Sequence, residues 1–243
     1  MRICAAQLEP IVGDLERNVS QHMHLIDLAV SHRADLIFFP ELSLTGYEPA
    51  LAKDLATDTG DRRLDVFQTL TDAKNIIIGV GLPTHSAAGI RISMILFQPD
   101  KQRLTYSKQL LHADELPFFV PGQEQLMLST HGRTLAPAIC YESLQSSHAE
   151  TAASAGADIY LASVAKPARN VEKAYPHYSS IAKRHSMTVL MANSVGPCDN
   201  FMSVGQSALW NSRGELVAKL DRESGIIMID TATAEVSVTL ASI

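Results

Sequence analysis

Two short runs, Leu36-Ile37-Phe38-Phe39 and Ile76-Ile77-Ile78-Gly79-Val80, constrain the fold of this chain more than any other feature. They carry no polar residue and are too short for a stable helix, so each reads as a strand buried on both faces in a sheet that other elements cover. Pro40 then ends the first run abruptly. Between and before these runs the period changes. Leu15, Val19, Met23, Ile26 and Val30 recur at helical spacing behind Asp14, a side chain suited to cap a helix N-terminus. Residues 61–74 are helical in the same way.

The pattern continues along the chain. Strands are predicted over residues 2–8, 93–97, 104–108, 134–139, 157–163 and 188–193, with Gln98-Pro99-Asp100-Lys101 as turn chemistry before Leu104. Helices are predicted over 148–155 and 171–187, the second with Pro176 near its first turn, where a missing N–H costs least. Strand-like residues 206–210, a turn at 211–214 and strands over 215–220 and 226–230 follow. Alternating helices and strands early, and hairpins late, predict an α/β chain with a mixed sheet and outer helices, forming one domain over residues 1–243.

Bulk properties narrow the function. Hydrophobic residues are 46% and charged residues 19% of the chain, an ordinary globular balance. The net charge is −6 with no basic run longer than Lys183-Arg184-His185, so no nucleic-acid partner is expected. No stretch approaches the roughly 20 apolar residues of a membrane span, and Asp14 and Glu16 follow too early for a signal peptide, so a soluble chain is expected. Cys4, Cys140 and Cys198 are odd in number and lack Cys-x-x-Cys spacing, which fits a reduced, cytoplasmic setting without disulfides or structural zinc. His22, His24 and His32 read as solvated or capping residues. Gly79-Val80-Gly81 lacks the third glycine of a dinucleotide fingerprint.

Three residues fall just beyond predicted strands: Glu41, Lys108 and Cys140. Each has an ordinary reading, as a loop charge or, for the cysteine, as a small core residue. Together they have a chemical one. Loops at strand ends gather catalytic groups; a carboxylate can accept a thiol proton and return it to an amine; a protonated lysine can hold a developing oxyanion; a thiolate can attack.

The surrounding motifs resemble those of the nitrilase superfamily, the carbon-nitrogen hydrolases. Phe39-Pro40-Glu41-Leu42-Ser43-Leu44-Thr45-Gly46-Tyr47, Tyr106-Ser107-Lys108 and Ala138-Ile139-Cys140-Tyr141-Glu142 match its glutamate, lysine and cysteine motifs in order, and weaker similarity runs through 156–159, 191–196 and 205–208. The resemblance implies a four-layer αββα sandwich of two mixed sheets with outer helices. It implies Cys140 as nucleophile, Glu41 as general base and acid, Lys108 and the Tyr141 N–H as oxyanion donors, and Glu115 as a further glutamate of the site. Tyr47, Tyr141 and Val164 are expected to meet substrate. The implied reaction is hydrolysis of a small linear amide through a cysteine thioester, with no cofactor or metal and a homodimer or higher homo-oligomer as the assembly. The chain ends soon after residue 230, without the tail that reinforces many such dimers. Nitrile or N-carbamoyl hydrolysis with the same triad, or an idle ligand-binding member, are the alternatives. Ser143-Leu144-Gln145-Ser146-Ser147 stands where ω-amidase-like members carry Arg-Phe-Pro-Glu, and no synthetase domain is fused, so neither ω-amides nor a synthetase-feeding glutaminase is expected.

Overall fold

The computed structural model describes residues 1–241. Strands β1 (Arg2–Gln7), β2 (Leu36–Phe38), β3 (Ile77–Ser86), β4 (Gly89–Phe97) and β5 (Leu104–Ser107) belong to a first sheet. β6 (Leu128–Thr130), β7 (Arg133–Ile139), β8 (Ile159–Val164) and β9 (Thr188–Asn193) belong to a second. β10 (Val195–Cys198) and β11 (Phe201–Val204) form a separate ribbon; β12 (Ala208–Trp210) and β13 (Leu216–Lys219) then extend the second sheet, and β14 (Gly225–Asp230) and β15 (Val236–Leu240) return to the first. The sheet orders are β15-β14-β1-β2-β3-β4-β5 and β13-β12-β9-β8-β7-β6. The helices are α1 (Leu15–Ser31), the single turn α2 (Ala52–Leu55), α3 (Asp65–Lys74), α4 (Ser146–Ser154) and α5 (Ala168–His185).

Strand alternation sorts the side chains into layers. Ile3, Ala5, Leu36 and Phe38 of the first sheet meet Leu135, Ile139, Leu161 and Leu190 of the second in a central core. The alternate residues Cys4, Ala6, Ile37, Ile78 and Val80 pack outward on α1 and α3. Ala136, Ala138, Tyr160, Val164 and Met191 pack outward on α4 and α5. The αββα sandwich is therefore present, each sheet buried on both faces as the apolar runs require.

β1, β2 and β3 are parallel, and two antiparallel steps through β4 return β5 to their direction. β7, β8 and β9 are likewise parallel. The C-terminal ends of β2 and β8 lie side by side, since Ser163 Oγ donates to the Phe39 carbonyl across the sandwich at 2.8 Å.

Two local expectations are corrected. α5 begins at Ala168, so Pro176 lies inside the helix rather than in its first turn. It sits on the exposed face with Glu172, where water can meet the carbonyl that proline leaves unbonded. His22 is fully buried rather than solvated or capping. Burial lowers its pKa to about 3, so the ring is neutral; Nδ1 donates to the Asn18 carbonyl at 2.6 Å and Nε2 accepts from Ser43 Oγ at 2.9 Å. The Asn18 amide donates to the Leu44 carbonyl at 3.0 Å. A buried polar stripe on α1 thus braces the loop that carries Glu41.

Candidate active site

Glu41 occupies a tight turn after β2 that lies directly on β3. The Leu44 N–H donates to the Gly81 carbonyl at 2.9 Å, the Gly81 N–H donates to Ser43 Oγ at 3.3 Å, and Leu42 is held at φ 51°. Gly81 is what permits this approach, because a Cβ there would lie 2.6 Å from both Leu42 N and the Pro40 carbonyl oxygen. Gly81→Ala is expected to destabilise the fold by about 1–3 kcal/mol and, by moving Glu41, to lower kcat/KM on the order of 10²-fold. Denaturant midpoints and steady-state rates check both; a stable variant with full activity would show that the loop is not held this way.

Lys108 follows β5, its backbone N–H donating to the Ile92 carbonyl at 2.9 Å. The side chain is fully buried and its Nζ donates to Glu41 Oε1 at 2.7 Å and to Glu115 Oε1 at 2.5 Å. Burial opposes its charge, but Glu41, Cys140 and Glu115 outweigh that and hold its pKa above the ordinary lysine value. Glu115 is itself buried, accepting from the Tyr47 hydroxyl at 3.0 Å and from the His112 N–H at 2.8 Å. Tyr47 stays a neutral donor, since burial and then Glu41 and Glu115 raise its pKa. Burial also raises Glu41 to about 7, against the pull of Lys108 and with added push from Glu115. Its Oε2 is buried without a hydrogen-bond partner among the described residues, and the Cys140 thiol is close enough to favour its charged form.

Cys140 is the first residue beyond β7 and sits at φ 44°, in the left-handed region that costs a non-glycine residue about 1–2 kcal/mol. The turn thrusts the side chain out of the sheet to the floor of a cleft. What secures it is Glu142, a residue the motif reading leaves without a role. Its buried carboxylate accepts from the Ile139 N–H at 2.7 Å, the Gln109 N–H at 2.6 Å, the Leu110 N–H at 3.2 Å and the Tyr106 hydroxyl at 2.6 Å. One carboxylate thus ties the segment after Lys108 to the segment before Cys140. Neutral His148, lowered to about 4 by burial, supports Tyr106 from Nε2 at 2.9 Å. The Tyr141 N–H meets no backbone carbonyl among the described residues.

The cleft has a volume of about 540 Å³ and is lined by Tyr47, Glu115, Cys140, Tyr141, Lys166 and Phe201 among others. One wall comes from the β10–β11 ribbon, docked by the Asp199 N–H on the Tyr47 carbonyl at 3.0 Å; that ribbon was not anticipated. Glu41, Lys108, Glu115, Cys140, Tyr47 and Tyr141 are therefore brought together. Val164 is not among them. Its side chain is buried in the layer between β8 and α5, and Ala165 and Lys166 line the cleft in its place. Low-polarity surroundings push the Cys140 thiol up to about 11, Glu41 adding to the shift and Lys166 and Lys108 opposing it. Among the described residues, no three His, Cys, Asp or Glu side chains group as a metal would need, and no helix is long and apolar enough to cross a membrane.

The family model described as carbon-nitrogen hydrolase matches residues 2–239. The structure of an amidase from Nesterenkonia sp. AN1 superposes with a TM-score of 0.85 at 24% identity, covering 95% of this chain and 92% of that one. A cysteine-to-alanine variant of that amidase in complex with butyramide matches equally well, at 23% identity over 96% and 92% of the two chains. Among curated proteins, glutamine-dependent NAD(+) synthetases of Acinetobacter baylyi and Aquifex aeolicus are 28% and 27% identical over 88% and 90% of this chain. The chain spans only 41% and 40% of those two relatives. With residues 2–239 matched, the chain belongs to the carbon-nitrogen hydrolase family, the one its motifs resemble.

Proposed function

We propose that the protein hydrolyses the C–N bond of a small linear amide through a thioester on Cys140. The observation that carries this reading is the arrangement of Glu41, with one free carboxylate oxygen, and doubly paired Lys108 around Cys140 at the floor of an open cleft. The Cys140 proton passes to Glu41 as sulfur attacks the carbonyl carbon. Charge moves to the carbonyl oxygen, where Lys108 Nζ and the Tyr141 N–H receive it. Glu41 returns the proton to the nitrogen, the C–N bond breaks, and ammonia or an amine leaves. Glu41 then takes a proton from water, which attacks the thioester and releases the acid and the thiol. Glu115 and Tyr47 hold Lys108 in place.

An ammonia-release screen over aliphatic amides, ω-amides, N-carbamoyl compounds and nitriles, with a Cys140→Ala control, tests the reading. Release from simple amides above the control supports it; no release from any class would overturn it. The curated relatives favour a second reading, in which the amide is that of glutamine, and free glutamine belongs in the same screen.

Because Glu41 must be ionised to accept the thiol proton, kcat/KM is expected to rise with pH through about 7, where burial places its pKa. A pH–rate profile checks this. A profile flat from pH 5 to pH 8 would contradict the role of Glu41 as base.

A further inference from the structure

The charge count around Cys140 does not close with the triad alone. Lys108 brings one positive charge, yet it is shared between two buried carboxylates, Glu41 and Glu115. With both carboxylates ionised one negative charge is already uncompensated, and passing the Cys140 proton to Glu41 moves that charge onto the sulfur, in a buried setting where such charges are costly. A second lysine stands at this point. Lys166, in the loop between β8 and α5, is 2% exposed and its Nζ lies 3.6 Å from Cys140 Sγ.

Its position is built rather than incidental. The Lys166 N–H donates to Asn193 Oδ1 at 2.8 Å and to Ser203 Oγ at 3.2 Å, while its carbonyl accepts from Asn193 Nδ2 and Ser203 Oγ at 3.2 Å each. The Val204 N–H adds a further bond to that carbonyl at 3.2 Å. Among the described residues no carboxylate lies within ion-pairing distance of Nζ, in contrast with Lys108. Burying an ammonium whose nearest polar partner is a thiol makes physical sense when that thiol becomes an anion.

We propose that Lys166 is a further catalytic residue, whose ammonium stabilises the Cys140 thiolate as the proton leaves for Glu41 and keeps the sulfur nucleophilic up to carbonyl attack. The S–H bond breaks and an O–H bond forms on Glu41; no electrons change hands. When sulfur bonds to the carbonyl carbon, the negative charge moves to the oxygen at Lys108 and Tyr141, and Lys166 is left beside the neutral, carbon-bonded sulfur of the tetrahedral intermediate, which becomes the thioester sulfur once the C–N bond breaks. The division of labour is spatial: Lys108 serves the oxygen and Lys166 the sulfur. This inference rests on the functional reading only in taking Cys140 as the nucleophile.

Other groups act on the same sulfur. Glu41 and Glu115 oppose its ionisation and Lys108 favours it, while Tyr47, Tyr178 and Cys198 are within electrostatic reach of it. His177 on α5 is within electrostatic reach of Lys166, and Arg169 and Lys173 line the cleft. None of these is altered in the variants that test the proposal.

The test is the pH dependence of Cys140 alkylation by iodoacetamide, followed by peptide mass mapping in the wild-type protein and in Lys166→Met, Lys166→Gln and Lys166→Arg. Loss of the charge in the Met and Gln variants should move the midpoint up by about one pH unit, a roughly tenfold slower alkylation at a fixed pH below it. The Arg variant should stay near the wild-type midpoint. Gln keeps a polar tip of similar reach and serves if Met fails to fold, thermal unfolding being recorded for each. A folded Met or Gln variant with a wild-type profile would overturn the proposal, as would an Arg variant that behaves like Met. The readout does not use amide turnover, so an unshifted midpoint counts against Lys166 while a negative ammonia screen counts against the functional reading.

Discussion

Lys108→Met is expected to lose kcat/KM on the order of 10³-fold, the scale of removing one oxyanion donor from a preorganised site, and to destabilise the fold by about 3–5 kcal/mol. The second effect distinguishes this lysine from a purely chemical participant. Its Nζ joins Glu41 and Glu115 at 2.7 and 2.5 Å with all three side chains buried, so its removal leaves two carboxylates facing one another without a counterion. Those carboxylates then hold protons more tightly in the folded chain than in the unfolded one. A raised carboxyl pKa favours the fold at low pH and loses that benefit as pH rises through the folded-state value. The deficit relative to wild type should therefore be smaller at pH 5 than at pH 8. Urea titrations at the two pH values measure it, and a deficit independent of pH would contradict the ion-pair account.

Cys140→Ala should abolish turnover, a loss on the order of 10⁶-fold as for other nucleophile deletions, without loss of the fold. Cys140 is held at φ 44° by Glu142 and the backbone around it, and its sulfur makes long contacts to Lys166 Nζ and the Ala165 carbonyl, at 3.6 and 3.7 Å, beside the Glu41 carboxylate. Alanine keeps the same backbone demand and leaves no large cavity, so the thermal midpoint should shift by only a few degrees. Ammonia release and differential scanning calorimetry on the same preparation settle both halves. Retained turnover would remove Cys140 from the mechanism.

The layers were legible in the sequence because apolar runs such as Leu36–Phe39 admit few placements, and the αββα arrangement followed once the motifs were matched. Glu41, Lys108 and Cys140 were legible because each breaks an apolar pattern at a strand end. Glu115 was named from its motif, though only the fold shows it buried against Lys108 and Tyr47. Val164 failed for a reason of register. Successive strand residues face opposite layers, so an offset of one residue moves a side chain from the cleft to the helix side. Lys166 was hidden for a different reason: in Ala165-Lys166-Pro167-Ala168-Arg169 a lysine reads as solvated, and its burial is set by Asn193 and Ser203, 27 and 37 positions away. His22 was misread because a histidine on an otherwise ordinary amphipathic helix gives no sign of the serine that will meet it from the loop carrying Glu41.

The central claim is that an acyl group passes through Cys140. An activated ester such as p-nitrophenyl butyrate needs no protonation of its leaving group, so acylation should outrun hydrolysis and the intermediate should accumulate. Rapid acid quenching and peptide mass mapping should find one butyryl group on Cys140, matched by an equimolar burst of p-nitrophenolate and absent from Cys140→Ala. Turnover with Cys140 unmodified at every time point, or with the acyl group on another residue, would contradict the account.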